Sequence, residues 1–172
     1  PRANLRFNPT QNINLRLSYS SGFRAPQAFD EDMHIENVGG TVAMIERAKD
    51  LKEEKSQSFS ASADMYHRFG AFQTNLLIEG FYTRLTDVFV LGEPYDRGDG
   101  ILVKTRSNGP GAKVMGLTLE GKVAYLSILQ IQAGLTLQRS RYDEPHKWHD
   151  DAPAEKKIFR TPDTYGYFTA TC

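Results

Sequence analysis

The side chains best suited to chemistry cluster late in the chain, where His146, Trp148 and His149 stand beside Asp150 and Asp151. Imidazoles three apart next to carboxylates could ligate a transition metal. No helical or strand period fixes that segment, however, and a hydrated polar loop accounts for the same composition. His34, just after the acidic run at residues 30–32, has the same two readings. There is no GxSxG, HExxH or P-loop, and Gly109-Pro110-Gly111 lacks the Lys-Ser/Thr that would cradle a phosphate. No catalytic constellation, metal site or cofactor is therefore assigned. The one cysteine, Cys172, leaves no internal disulfide and no zinc-type spacing. Arg24 follows an alternating run closely, and a fixed guanidinium there can tie a strand end to carbonyls or carboxylates.

The elements that must position these groups are strands. Over residues 12–20, Ile13, Leu15, Leu17 and Tyr19 interleave with Asn14, Arg16 and Ser18; over residues 128–138, Leu129, Ile131, Ala133, Leu135 and Leu137 interleave with Gln130, Gln132, Gly134 and Thr136. A two-residue period gives a strand one oily and one wet side. The same reading puts strands at residues 3–8, 56–68, 72–91, 101–125 (interrupted by a bulge or bend at Gly109-Pro110-Gly111) and 158–171. Leu77 and Phe81 break the wet side of residues 72–91. Residues 21–55, 93–100 and 141–157 read as loops, with one or two helical turns expected within residues 42–51. The connections run short, long, short, moderate, short, long, so one end of the sheet carries tight turns and the other carries elaborate loops.

Such a sheet must turn its oily side toward a core or toward lipid. No stretch approaches the roughly 18 to 20 apolar residues of a spanning helix, and a membrane strand is only half apolar, so 40% hydrophobic and 24% charged residues exclude neither option. Equal numbers of basic and acidic residues, 21 each, give no reason to expect nucleic acid as partner. Aromatics near the ends of the oily runs (Phe59, Phe72, Tyr82, Tyr125, Tyr165, Tyr167) suit interfacial girdles, and Arg16, Asp64, Glu79 and Glu120 in mid-strand suit a wet lumen. A soluble barrel or sandwich that binds a small ligand, or a surface adhesin barrel, shares the alternation.

Five short segments, in order, resemble one family. Ser20-Ser21-Gly22-Phe23-Arg24-Ala25-Pro26 is similar to the FRAP strand exit of TonB-dependent outer-membrane receptors. Leu51-Lys52-Glu53-Glu54-Lys55-Ser56 resembles their LKPE-x-S strand entry, with Glu53-Glu54 where the family has Pro-Glu. Phe81-Tyr82-Thr83-Arg84-Leu85-Thr86-Asp87-Val88-Phe89, then Asn108-Gly109 with Ala112 and Gly116-Leu117-Thr118-Leu119-Glu120, then Arg160-Thr161-Pro162 resemble later family segments.

The resemblance implies an all-β fold, an antiparallel up-and-down transmembrane β-barrel, of which residues 1–172 supply about seven strands of a roughly 22-stranded barrel with its plug and remaining strands elsewhere. It further implies the outer membrane of a Gram-negative bacterium, lipid around the barrel, and import of a bulky nutrient (iron siderophore, haem or cobalamin) energised by the TonB system through the plug. A softer likeness is to receptors of the Bacteroides type, with a surface lipoprotein as a candidate further partner. The ligand contacts this implies lie in the long loops: Trp148 and Tyr142 to stack, Arg139 and Arg141 to pair with anionic groups, with Arg24, His34, His146 and His149 as further candidates.

Overall fold

The computed structural model describes residues 1–26, 43–98, 100–126, 128–146, 155–158 and 161–172. Twelve strands occur among them: β1 (Arg2–Thr10), β2 (Ile13–Arg24), β3 (Ala43–Arg47), β4 (Glu54–Phe69), β5 (Phe72–Thr86), β6 (Phe89–Leu91), β7 (Tyr95–Asp96), β8 (Leu102–Asn108), β9 (Ala112–Tyr125), β10 (Leu129–His146), β11 (Glu155–Lys157) and β12 (Thr164–Thr171). The main sheet is an antiparallel meander, β1-β2-β4-β5-β9-β10, and both β11 and β12 then pair with β10. The lower part of β10, Gln130 to Leu137, pairs with β12, while Arg141 and His146 pair with β11. The last two strands thus form one composite ribbon, giving the seven expected across the sheet.

The tight turns fall at one end, between β1 and β2, β4 and β5, and β9 and β10. All the long connections fall at the other, as the alternation of loop lengths implies. β4, β5, β9 and β10 are 16, 15, 14 and 18 residues long, well beyond the roughly 9 to 11 a tilted membrane crossing requires.

Four sequence expectations are corrected. Residues 72–91 are not one strand: the chain leaves the main sheet at Asp87, whose φ of 55° is left-handed and ends the ladder. Residues 101–125 likewise divide, because β8 joins a second, smaller sheet in which β3 lies parallel to it and β6 and β7 antiparallel. The helical turns expected within 42–51 are instead β3. Five residues gain a backbone ladder along one side from β8, whereas so short a helix would carry an unrecovered nucleation cost. The loop expected at 141–157 is partly strand, since β10 runs on to His146 and β11 pairs with it.

Among the described residues no dry core encloses the apolar side chains. Among the described residues only Val103 and Ala112 are buried hydrophobics, whereas Leu129, Ile131 and Leu135 are 38%, 37% and 45% exposed and Leu5 is 63% exposed. A self-contained soluble sandwich would bury these side chains. The sheet is open, with β1 at one edge and the β11/β12 ribbon at the other.

Candidate functional site

The cross-strand register converts the sequence pattern into horizontal rows, because residues directly opposite one another in antiparallel strands share a face. Leu17, Ala61, Gly80, Leu117 and Leu137 form one row; Leu15, Ala63, Ile78, Leu119 and Leu135 form the next. This apolar field is bounded by aromatics at both ends. Toward the tight turns, Phe69 stacks on Phe72 at 5.4 Å, and Phe72 meets Tyr125 at 4.9 Å. Toward the long loops, Tyr19 and Phe59 lie 4.7 Å apart, with Tyr82 next in the row. From Phe72 to Tyr82 is ten residue steps along β5; at about 3.4 Å per residue and a tilt near 40°, the two girdles stand roughly 25 Å apart, the height of a lipid-facing band.

The opposite face is polar and internally bonded. Arg6 donates to Asn14 at 3.1 Å, Ser58 and Thr83 share a hydrogen bond of 2.9 Å, Thr118 and Thr136 one of 3.1 Å, and Asn75 donates to Asp64. Arg16, Glu79, Glu120 and Lys122 lie on this side by register. The aromatic breaks in its pattern have a packing cause. Phe81 lies across Gly116 and Tyr167 across Gly134, so each ring covers backbone that a side chain would occupy. This also corrects the expected placement of Tyr165 and Tyr167. They pair with Thr136 and Gly134 on the polar side, and Tyr167 accepts a hydrogen bond from Gln132 at 2.8 Å.

At the long-loop end, residues from distant parts of the sequence converge. The Asn108 side chain accepts from the Lys52 backbone N–H at 2.7 Å and donates to the carbonyls of Lys52 and Asp87 at 3.0 and 2.8 Å. Glu54 accepts from the Phe89 backbone N–H at 3.0 Å, and the Arg24 guanidinium lies 5.6 Å from the Phe89 ring centroid. The exits of β2, β5 and β8 and the entry of β4 are thereby clasped together, which anchors the small sheet to the wall. Arg24 is thus engaged with the Phe89 ring.

The other candidates separate by face. Tyr142 lies on the polar side, opposite the buried Ala112, and burial raises its phenol above the ordinary value near 10, keeping it a neutral hydroxyl. Arg139 and Arg141 lie on the apolar side, level with Met115 and Lys113. Continuing the odd-numbered phase of Leu135 and Leu137 would have shown this from sequence. His146 ends β10. His34, Trp148 and His149 lie outside the described residues. Among the described residues no three His, Cys, Asp or Glu side chains gather as a metal site.

This arrangement can do one thing chemically: separate a lipid-compatible exterior from a wet interior. No curated protein matches the sequence. Among the similar solved structures are two titled the FrpB iron transporter from Neisseria meningitidis. The F5-1 variant aligns at 18% identity and a TM-score of 0.60 over 99% of this chain and 26% of its own, and the F3-3 variant at 19% and 0.59 over 83% of this chain and 19% of its own. The chain therefore spans about a quarter or less of either transporter's length. The model of the family described as TonB dependent receptor-like, beta-barrel matches residues 1–171, and with that match over nearly the whole chain the protein belongs to this family.

Proposed function

We propose that this chain is a wall segment of an outer-membrane receptor of a Gram-negative bacterium, which imports a scarce, bulky nutrient through the TonB system. The observation that carries the reading is the two-faced sheet, with aromatic girdles about 25 Å apart on one side and a bonded polar surface on the other. Iron in a siderophore or in haem leads the candidate nutrients, because the similar solved structures are titled iron transporters; cobalamin shares the bulk that demands active import. Receptors of the Bacteroides type and a surface lipoprotein partner belong to the same proposal. Ligand contact is assigned to Tyr142, on the polar side of β10, and, on the sequence reading, to His34, His146, Trp148 and His149.

Growth of a deletion strain on defined iron sources and on cobalamin, with the full-length gene restored, tests this. The expected result is failure on one source and rescue by the gene. Normal growth on every source would count against nutrient import.

A further inference from the structure

Asn108, whose amide holds the clasp at the long-loop end, is the one asparagine in the chain that a glycine follows. That pairing is chemically weak. The side-chain amide carbon of an asparagine lies within reach of the next backbone nitrogen, and the approach is least hindered where the next residue has no Cβ. The fold nevertheless demands both residues. Asn108 is required because one planar amide must accept from the Lys52 N–H and donate to the carbonyls of Lys52 and Asp87. Gly109 is required because a Cβ there would stand 2.5 Å from a methyl of Val90.

The same contacts keep the reaction from starting. With the clasp closed, Oδ1 and Nδ2 are fixed by hydrogen bonds of 2.7, 3.0 and 2.8 Å. The Gly109 N–H, which must lose its proton before the nitrogen can attack, donates to the Val88 carbonyl at 2.7 Å. β8 ends at Asn108, and both residues are only half-buried, so solvent reaches them once the amide swings free.

We infer that Asn108 is a deamidation site gated by the clasp, so that prolonged opening is recorded as an irreversible change of charge. In the open state the Gly109 nitrogen, deprotonated by hydroxide, attacks the Asn108 Cγ. The new C–N bond closes a succinimide while the Cγ–Nδ2 bond breaks, and the nitrogen leaves as ammonia with a proton from water. Water then opens the ring at either carbonyl, giving aspartate or isoaspartate. Neither product rebuilds the clasp, because a carboxylate has no N–H for the carbonyls of Lys52 and Asp87. It also adds negative charge opposite Phe89, whose N–H already holds the Glu54 carboxylate. Deamidation therefore unfastens the small sheet from the wall in one direction only.

The test follows conversion at Asn108 by peptide mapping with mass spectrometry, in the full-length receptor in nanodiscs and in the same protein unfolded in guanidinium, at one mildly alkaline pH. Three hydrogen bonds of ordinary strength must break before attack, so the folded receptor should convert roughly 100-fold more slowly than the unfolded chain. Asn75, followed by Leu76, is the internal control and should stay intact in the unfolded chain over that time. Glu54→Ala removes the neighbouring tie to Phe89 and leaves Asn108 and Gly109 in place, and should raise the folded rate about ten-fold. Should that variant fail to fold, Glu54→Gln should raise the rate less, in the same direction. In Asn108→Asp, protection of β3 and β8 amides relative to intrinsic exchange should fall about ten-fold or more. Equal rates in folded and unfolded protein, or a folded rate unmoved by the change at Glu54, would overturn the gating; full protection of β3 and β8 in Asn108→Asp would overturn its one-way character.

Discussion

One amide, that of Asn108, satisfies a backbone N–H and two carbonyls from segments that sequence separates widely. Replacing it with Ala orphans all three, and at about 1 kcal/mol for each net hydrogen bond the barrel should lose roughly 2–4 kcal/mol, read as a shift in urea midpoint of the full-length protein. Asn108→Asp should not restore it, since a carboxylate accepts but cannot donate to carbonyls. Gly70, in the β4–β5 turn, has a φ of 57° and open space where a side chain would sit. Gly70→Ala therefore probes backbone strain alone, and should cost about 1 kcal/mol by the same measurement. At this scale the sequence was partly legible. Asn108, Glu54 and Asp87 stood out through family resemblance, yet their convergence on one clasp is a fact of tertiary structure. The face of Tyr165 and Tyr167 was misread because amphipathic rings suit either side. What decides it is the gap above Gly134, a property of the neighbouring strand.

Strands were easy to find and their ends were not. Alternation continues through residues 72–91 and 101–125 although the chain changes sheets inside both, because period reports which face a residue takes and says nothing about which neighbour it pairs with. The departure is set by local backbone at Asp87 and by the Asn108 clasp. β11 and β12 share β10 as partner, and the break between them is closed by ties. The Gln138 backbone N–H donates to the Asp163 carbonyl at 2.7 Å, and Lys157 donates to the Asp163 carboxylate at 2.8 Å. That hydrogen bond to Lys157 holds the Asp163 carboxyl below its ordinary value. A depressed carboxyl stabilises the fold above its unfolded pKa, and the contribution is lost as pH falls through the folded pKa. Protection of β12 amides, taken relative to the intrinsic exchange rate at each pH, should therefore fall below about pH 4, where ordinary carboxyls titrate, and Asp163→Asn should lower protection at neutral pH and flatten that dependence.

At the scale of the molecule, the lack of a dry core among the described residues and the two open edges have one consequence. Unpaired strand edges and a broad apolar face drive association in water. Residues 1–172 made alone should self-associate, and sedimentation should show no monodisperse monomer without detergent. Alternation and loop asymmetry made the two faces and the two ends of the sheet legible, and aromatics at the strand ends favoured lipid for the apolar face, whereas the second sheet and the outward-turned cations needed the register. The most direct test of the account places single spin labels in the full-length receptor in bilayers, with Cys172 changed to Ser. Labels at Leu119 and Leu135 should be accessible to oxygen dissolved in lipid and shielded from a water-soluble nickel relaxant, and labels at Glu120 and Thr136 should show the reverse. Water exposure at Leu119 and Leu135 with lipid exposure at Glu120 would contradict it.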